Sequence, residues 1–288
     1  MRLYFYAKTD NRLGLDRLRR TVALMHEFKD IETYLMTTEF RSATYAKRIL
    51  GIQKAVGIED FRNIGNICER GDVIIYDSDE HNEIIHQEMI DYFGAFFRIS
   101  YDPKDAPKEG EYLINPYIVG HNVINAVLVD SRYFGEFTKE KRLFFYGDSD
   151  YHKEMLQIAP KLIDFDFDLL EGFYFFVDME EKLKRYFKNI YAYDEYIEIL
   201  QESKIFVSGS AQSALEAAAT GARVIYFGDD EEYVQALENV KVRNIGIFDA
   251  AKLQEALLDI PQPHRDYLLK LSAEQAAYKI MEILKSNS

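Results

Sequence analysis

Residues 205–226 read IFVSGSAQSALEAAATGARVIY, an apolar run that stops at a turn of small residues and passes at once into an Ala-rich stretch. A buried strand feeding a helix this way aims the helix's unpaired N–H groups past the strand's end. The helix dipole favours negative charge there, and small residues let a phosphate come close. Ser208, Ser210 and Ser213 add hydroxyl donors, Gly209 adds room, and Glu216 lies about two turns into the helix, within reach of a ribose diol. The same residues also fit an N-cap serine on a helix of the core.

Two further clusters carry charge in a pattern that chemistry could use. Arg12, Arg17, Arg19 and Arg20 fall together after the apolar run at 2–7, and Arg17 and Arg20 share a helix face at i,i+3. They suit either an anion clamp for a carboxylate or phosphate, or a solvated face paired with local acids such as Asp16. Asp77-Ser78-Asp79 follows the run DVIIY at 72–76, at the strand end where α/β proteins bind ligands, or as an N-cap for a helix at 81–93. An Asp-x-Asp with only His81 beside it lacks a ligand set, so no metal is expected. His81 and His86 are five apart and do not stack on one helix face; the remaining histidines show no ligand spacing. The single cysteine, Cys68, reads as a buried structural thiol.

Elements must position these groups, and the chain has the composition to build them. It is 288 residues long, 48% hydrophobic and 14% aromatic, with 21 Tyr, 20 Phe and no Trp. The formal net charge of -14 disfavours nucleic acid and anionic membranes, since both call for a basic surface. One cysteine permits no internal disulfide, which fits a reducing compartment, and no window approaches the ~18 apolar residues of a membrane span. The expectation is a cytoplasmic protein without a signal segment or a cofactor.

Strand-like and helix-like segments alternate throughout. Strands are expected at 2–7, 33–37, 72–76, 95–99, 142–147, 189–193, 204–209, 223–227 and 243–247, and 173–177 is strand-like with a helix as the alternative. Helices are expected at 15–28, 40–50, 81–93, 151–160, 194–202, 211–220, 231–239 and 250–259, with one long helix at 265–285. Residues 102–111, rich in Pro, Gly and charge, form a loop. The alternation predicts an α/β protein with parallel sheets, divided into residues 1–130 and 131–288. The economical architecture is two Rossmann-like domains facing a cleft, with the final helix returning to the first.

The segment 205–226 resembles the nucleotide-binding turn of GT-B glycosyltransferase-like proteins. It is most similar to the UDP-sugar hydrolases of pseudaminic-acid biosynthesis and to the lipid-II-forming N-acetylglucosaminyltransferases. That resemblance implies a diphosphate contact at Ser213, a ribose contact at Glu216 and a helix-ending role for Gly221. Ala211 and Gln212 stand where the family has Gly and Ser or Gly, and Gly209 is displaced towards the strand. Residues 144–150, FFYGDSD, resemble the opening of the family's second domain at Gly147, with Asp148 in place of a second glycine. Residues 194–204 resemble the helix before the nucleotide turn, so the likeness spans most of 142–260. In the first half, Gly14, Arg20 and Leu24 keep the family's spacing after the first strand. Asp16 replaces a glycine there, and Arg17 replaces the histidine that is the family's candidate base. A guanidinium cannot take that role.

The resemblance therefore implies a UDP-sugar ligand, held at its nucleotide by Gly147, Ser208, Gly209, Ser210, Ser213 and Glu216. Sugar contacts would come from Gly14, Arg17, Arg20 and Asn115, and Asp16 or Asp77 would be the replacement base. The implied setting is bacterial surface-sugar metabolism, by hydrolysis or transfer. A degenerate, non-catalytic binding or assembly partner is the alternative. A nicotinamide enzyme is disfavoured, because no Gly-x-Gly-x-x-Gly follows 2–7.

Overall fold

The computed structural model describes residues 2–80, 82–175 and 179–286. The chain forms two compact units. The first comprises Met1–Asp10, Arg17–Ser131 and Leu271–Ser288; the second comprises Asn11–Asp16 and Arg132–Lys270.

The first unit is built on β1 (Leu3–Ala7), α1 (Asp16–Met25), β2 (Thr33–Thr37), α2 (Phe40–Arg48), β3 (Ala55–Gly57), β4 (Val73–Asp77), α3 (Glu83–Tyr92), β5 (Ala95–Ile99), β6 (Glu111–Ile114) and β7 (Val123–Ile124). Its seven strands are all parallel, in the order β3-β2-β1-β4-β5-β6-β7. β1 and β4 are buried at every position, as expected of central strands covered on both faces. One face carries a core of Tyr4, Tyr6, Ile74, Tyr76, Phe96 and their neighbours. The sheet order reverses between β1 and β4, and the register sets Ala7 level with Asp77.

The second unit contains β8 (Lys141–Phe145), α4 (Met155–Ile158), β9 (Asp168–Leu170), α5 (Met179–Leu183), β10 (Ile190–Tyr191), α6 (Tyr196–Gln201), β11 (Ser203–Ser208), α7 (Ala211–Ala219), β12 (Arg223–Tyr226), α8 (Val234–Val240), β13 (Arg243–Asn244), α9 (Ala250–Leu258) and α10 (Arg265–Lys270). Six parallel strands run in the order β10-β9-β8-β11-β12-β13. Here the order reverses between β8 and β11. Ser208 is level with both Phe145 and Tyr226, so three loops leave the sheet side by side. Helix α7 is buried at all nine positions, which its alanines permit.

Three expectations need correction. The strand expected at 173–177 is not found there: Phe173 and Tyr174 form a turn, with Tyr174 N–H donating to Asp148 O at 2.8 Å. Residues 176–177 lie outside the described residues, and β8 pairs with β9 (Asp168–Leu170) on one side and β11 on the other. The single helix expected at 265–285 is α10 and then α11 (Ala273–Ser286). The break falls where Leu271 O accepts from Val127 N–H at 2.7 Å and Ser272 Oγ accepts from Gln275 N–H at 3.4 Å. The short strands β3, β6 and β7 have no counterpart in the expected set, since each has only two to four residues of pattern. No helix among the described residues is long and apolar enough to cross a membrane.

Candidate functional site

A cavity of about 330 Å3 opens in the second unit at the carboxyl ends of its strands. Its wall is made by the residues that follow β8 (Tyr146, Gly147, Asp148, Ser149), β11 (Gly209, Ser210) and β12 (Phe227, Gly228, Asp229). This is the reversal point of the sheet, where open α/β sheets bind ligands. Arg12, Leu13, Gly14 and Asp16 complete the wall from the short segment that belongs to this unit.

Two glycines are required by the backbone. A Cβ on Gly209 would lie 2.2 Å from Tyr146 O, so only glycine lets the β8 and β11 loops run this close. Gly14 has φ +77°, and a Cβ there would meet Asp148 Cβ at 3.2 Å.

Ser210 is the N-cap of α7: its Oγ accepts from Ser213 N–H at 3.0 Å. The same Oγ lies 2.7 Å from Asp16 Oδ1 and 2.8 Å from Ser213 Oγ. The serine carries one hydroxyl proton, and a carboxylate is the stronger acceptor for it. Asp16 thus sits beside the start of α7, on the side where the helix dipole favours an anion. Ser208 closes the turn, its Oγ accepting from Ser210 N–H and donating to Ser210 O, both at 3.0 Å.

Charge in the cavity wall is lopsided. Arg12 shares the wall with Asp16, Asp148, Glu154 and Asp229, and its guanidinium lies 4.8 Å over the Tyr151 ring. Asp148 is buried and accepts from Leu15 N–H at 3.3 Å. Glu154 accepts from the Tyr146 hydroxyl. Burial, followed by that bond, pushes the Tyr146 phenol well above its ordinary pKa, so it stays a donor. Phe227 and Phe248 supply an apolar wall, their rings edge-on at 5.4 Å between centroids.

Of the residues expected to hold a nucleotide, Gly147, Gly209 and Ser210 line this cavity; Ser208, Ser213 and Glu216 do not. Glu216 is buried in α7, where it accepts from Tyr196 Oη at 2.6 Å and from Gln212 Nε2 at 3.1 Å. Gly14 and Asp16, read from sequence as part of the first domain, belong to the second unit and line its cavity.

The remaining candidates lie in the first unit. Asp77 is fully buried at the end of β4 and is bound on both oxygens by Arg20, at 2.6 and 2.5 Å, with Thr21 Oγ1 at 3.2 Å. Arg20 is 4% exposed and packs on the Tyr101 ring. Arg17 pairs with Asp79 at 2.8 Å, and Lys8 does so at 3.0 Å. Burial raises the Asp79 pKa, but Arg17 and Lys8 outweigh it and hold the carboxyl down at about 2. Arg20 is committed to Asp77, and Arg17 and Lys8 to Asp79. The N-cap of α3 is Asn82, not Asp77. Asn115 is buried in its own turn, accepting from Tyr117 N–H at 2.8 Å and donating to Asp102 O at 2.9 Å. His81 lies outside the described residues. Among those described, no group of three or more His, Cys, Asp and Glu is arranged to hold a metal ion.

No protein-family model matches the sequence, and no curated protein matches it. Solved structures do. The UDP-GlcNAc 2-epimerase of Methanocaldococcus jannaschii, in complex with UDP-GlcNAc and UDP, superposes with a TM-score of 0.61 at 13% identity, over 99% of this chain and 100% of that one. AviGT4, a glycosyltransferase of avilamycin A biosynthesis, gives 0.55 at 13% identity over 99% and 97%. MurG of Acinetobacter baumannii gives 0.57 at 8% identity over 99% and 100%. The fold is GT-B-like. Within this GT-B-like fold, sequence reasoning missed Tyr146, Phe227 to Asp229, Ile247 and Phe248 as wall residues. Their signal was present: the first three follow apolar runs that end level in one parallel sheet.

Proposed function

We propose that this chain binds a nucleotide sugar, UDP-linked, in the cavity of its second unit. The observation that carries the reading is the placement of Gly147, Gly209 and the α7 N-cap Ser210 on either side of the sheet's reversal point. The solved structures with this fold include enzymes whose own ligands are UDP-GlcNAc and UDP. Gly209 and Ser210 bring backbone and hydroxyl groups to a diphosphate, and Arg12 supplies the cation. The rings of Phe227 and Phe248 suit the apolar face of a base or sugar.

Hydrolysis or transfer of the sugar, in bacterial surface-sugar metabolism, is the activity that fits such a ligand. Asp16 is then the base, since it lines the cavity, whereas both oxygens of Asp77 are spent on Arg20. A carboxylate in that role contributes roughly 100- to 10,000-fold to rate. One observation favours a binding protein without turnover instead: Arg17 occupies the place of the family's histidine and is paired with Asp79. Calorimetric titration with UDP and UDP-N-acetylhexosamines separates the outcomes. Heat of binding with sugar release that Asp16→Asn abolishes supports the enzyme. Binding without release supports the second reading. Absence of heat and of any thermal shift at millimolar ligand refutes both.

A further inference from the structure

The cavity of the second unit continues past Arg12. A further space of about 330 Å3 adjoins it, and Arg12, Tyr146, Ser149 and Glu154 line both. Asp150, Tyr151 and His152 complete this second lobe, and every residue of its wall belongs to the second unit.

The sequence Asp-Tyr-His-Lys at 150–153 builds the outer wall. Lys153 N–H donates to Asp150 O at 3.0 Å, which closes a four-residue turn. The Asp150 carboxylate accepts from Glu154 N–H at 2.7 Å on one oxygen and from Met155 N–H at 3.1 Å on the other. Asp150 is buried, so its charge is spent on the backbone of the turn. Tyr151 and His152 are the two central residues, with their rings edge-on at 5.2 Å between centroids. Arg12 covers the Tyr151 ring at 4.8 Å. The wall is thus held by main-chain bonds before any ligand arrives, which lowers the cost of binding.

The chemistry of the ligand follows from the groups that stay uncommitted. Glu154 gives Oε2 to the Tyr146 hydroxyl. Among the described residues, the Tyr151 hydroxyl, the His152 ring nitrogens and Glu154 Oε1 have no protein partner. Tyr151 can donate and accept, Glu154 accepts, and an imidazole keeps at least one N–H in either protonation state. A hydroxyl also gives and takes, so a wall offering both kinds of group suits a polyol. A phosphate would meet the Glu154 charge, and an apolar group would leave the polar atoms unpaired.

We propose that the second lobe holds the hexose of the nucleotide sugar, with ring hydroxyls bonded to Tyr151 Oη, His152 and Glu154 Oε1. This placement rests on the nucleotide reading of the first lobe, because the hexose is tethered to the diphosphate beside Gly209 and Ser210.

The test is calorimetric titration of the whole chain with UDP, UDP-glucose and UDP-N-acetylglucosamine. It compares wild type with the double variant Tyr151→Phe, His152→Ala. Phenylalanine keeps the ring beneath Arg12 and removes only the hydroxyl. Tyr151 is 42% exposed and His152 is exposed, and neither side chain makes the bonds of the turn, so the variant folds. In wild type at least one of the two sugars should bind at least about ten-fold more tightly than UDP, as three added hydrogen bonds allow. In the variant that margin should fall below about two-fold, with UDP itself bound as before. If UDP binds and neither sugar adds affinity, or if the margin survives in the variant, the hexose lies elsewhere and the proposal is overturned while the nucleotide reading stands. If none of the three binds, the nucleotide reading fails and the placement fails with it.

Discussion

Replacing Asp16 by asparagine should tighten the binding of UDP. Asp16 Oδ1 lies 2.7 Å from Ser210 Oγ. A phosphate oxygen that takes the one Ser210 hydroxyl proton in place of Asp16 would lie a hydrogen-bond length from the same Oγ, placing the two negative charges no more than about 5.5 Å apart. At that distance their repulsion is about 3 kcal/mol for an effective dielectric constant near 20 and about 0.8 kcal/mol in bulk water. Physiological salt screens it little, because the Debye length is about 8 Å. Asparagine keeps an acceptor for Ser210 and removes the charge, so UDP affinity should rise between about 4-fold and about 150-fold. Uridine, which has no phosphate, should bind the two proteins equally. Calorimetric dissociation constants for UDP and uridine, on wild type and variant, give both numbers. If UDP affinity is unchanged or falls while the variant remains folded, the diphosphate does not lie beside Asp16 and the assignment of this cavity is wrong.

Gly209→Ala should destabilise the protein by about 1–3 kcal/mol and abolish UDP binding, because the new Cβ meets Tyr146 O at 2.2 Å; denaturant midpoints and calorimetry report the two effects. Ser210→Ala removes the α7 cap and should cost about 1 kcal/mol in the same denaturation assay, with weaker UDP binding. Glu216→Gln should lower the thermal midpoint, since Glu216 is the buried acceptor for Tyr196 and Gln212, and should change UDP affinity by less than about two-fold; a loss approaching ten-fold would restore a ribose contact. Glu111 has a folded pKa of about 2 against an ordinary 4.5, so its stabilisation is complete above about pH 4.5 and is lost as pH falls towards 2. That contribution is on the order of 3 kcal/mol, and Glu111→Gln should flatten the acid limb of a stability-versus-pH curve accordingly.

The fold was legible wherever periodicity was long and unbroken. β2 and β5 match the apolar runs at 33–37 and 95–99, and α7 matches the alanine stretch, because burial imposes the pattern directly. It was not legible where aromatic density imitates a strand. Phe173 and Tyr174 form a turn tied to Asp148 O, a long-range bond that no local window contains. The break between α10 and α11 likewise depends on Val127, more than a hundred residues earlier. Gly147, Gly209 and Ser210 stood out as small residues at strand ends and line the cavity, although the same pattern fits a helix N-cap, which Ser210 also is. The helical residues Ser213 and Glu216 were read from their position in the helix as well as from the resemblance, and their side chains are buried and hydrogen-bonded within the unit. The arginine cluster carried the right chemistry, but Arg20 spends it on Asp77, a partner 57 positions away.

The central claim is that the reversal point of the second sheet holds a nucleotide diphosphate. A crystal structure of the chain with UDP tests it most directly. The account predicts diphosphate density beside Gly209 and Ser210 at the start of α7, with Arg12 turned towards it. Nucleotide bound elsewhere, or an empty cavity at saturating UDP, would contradict it.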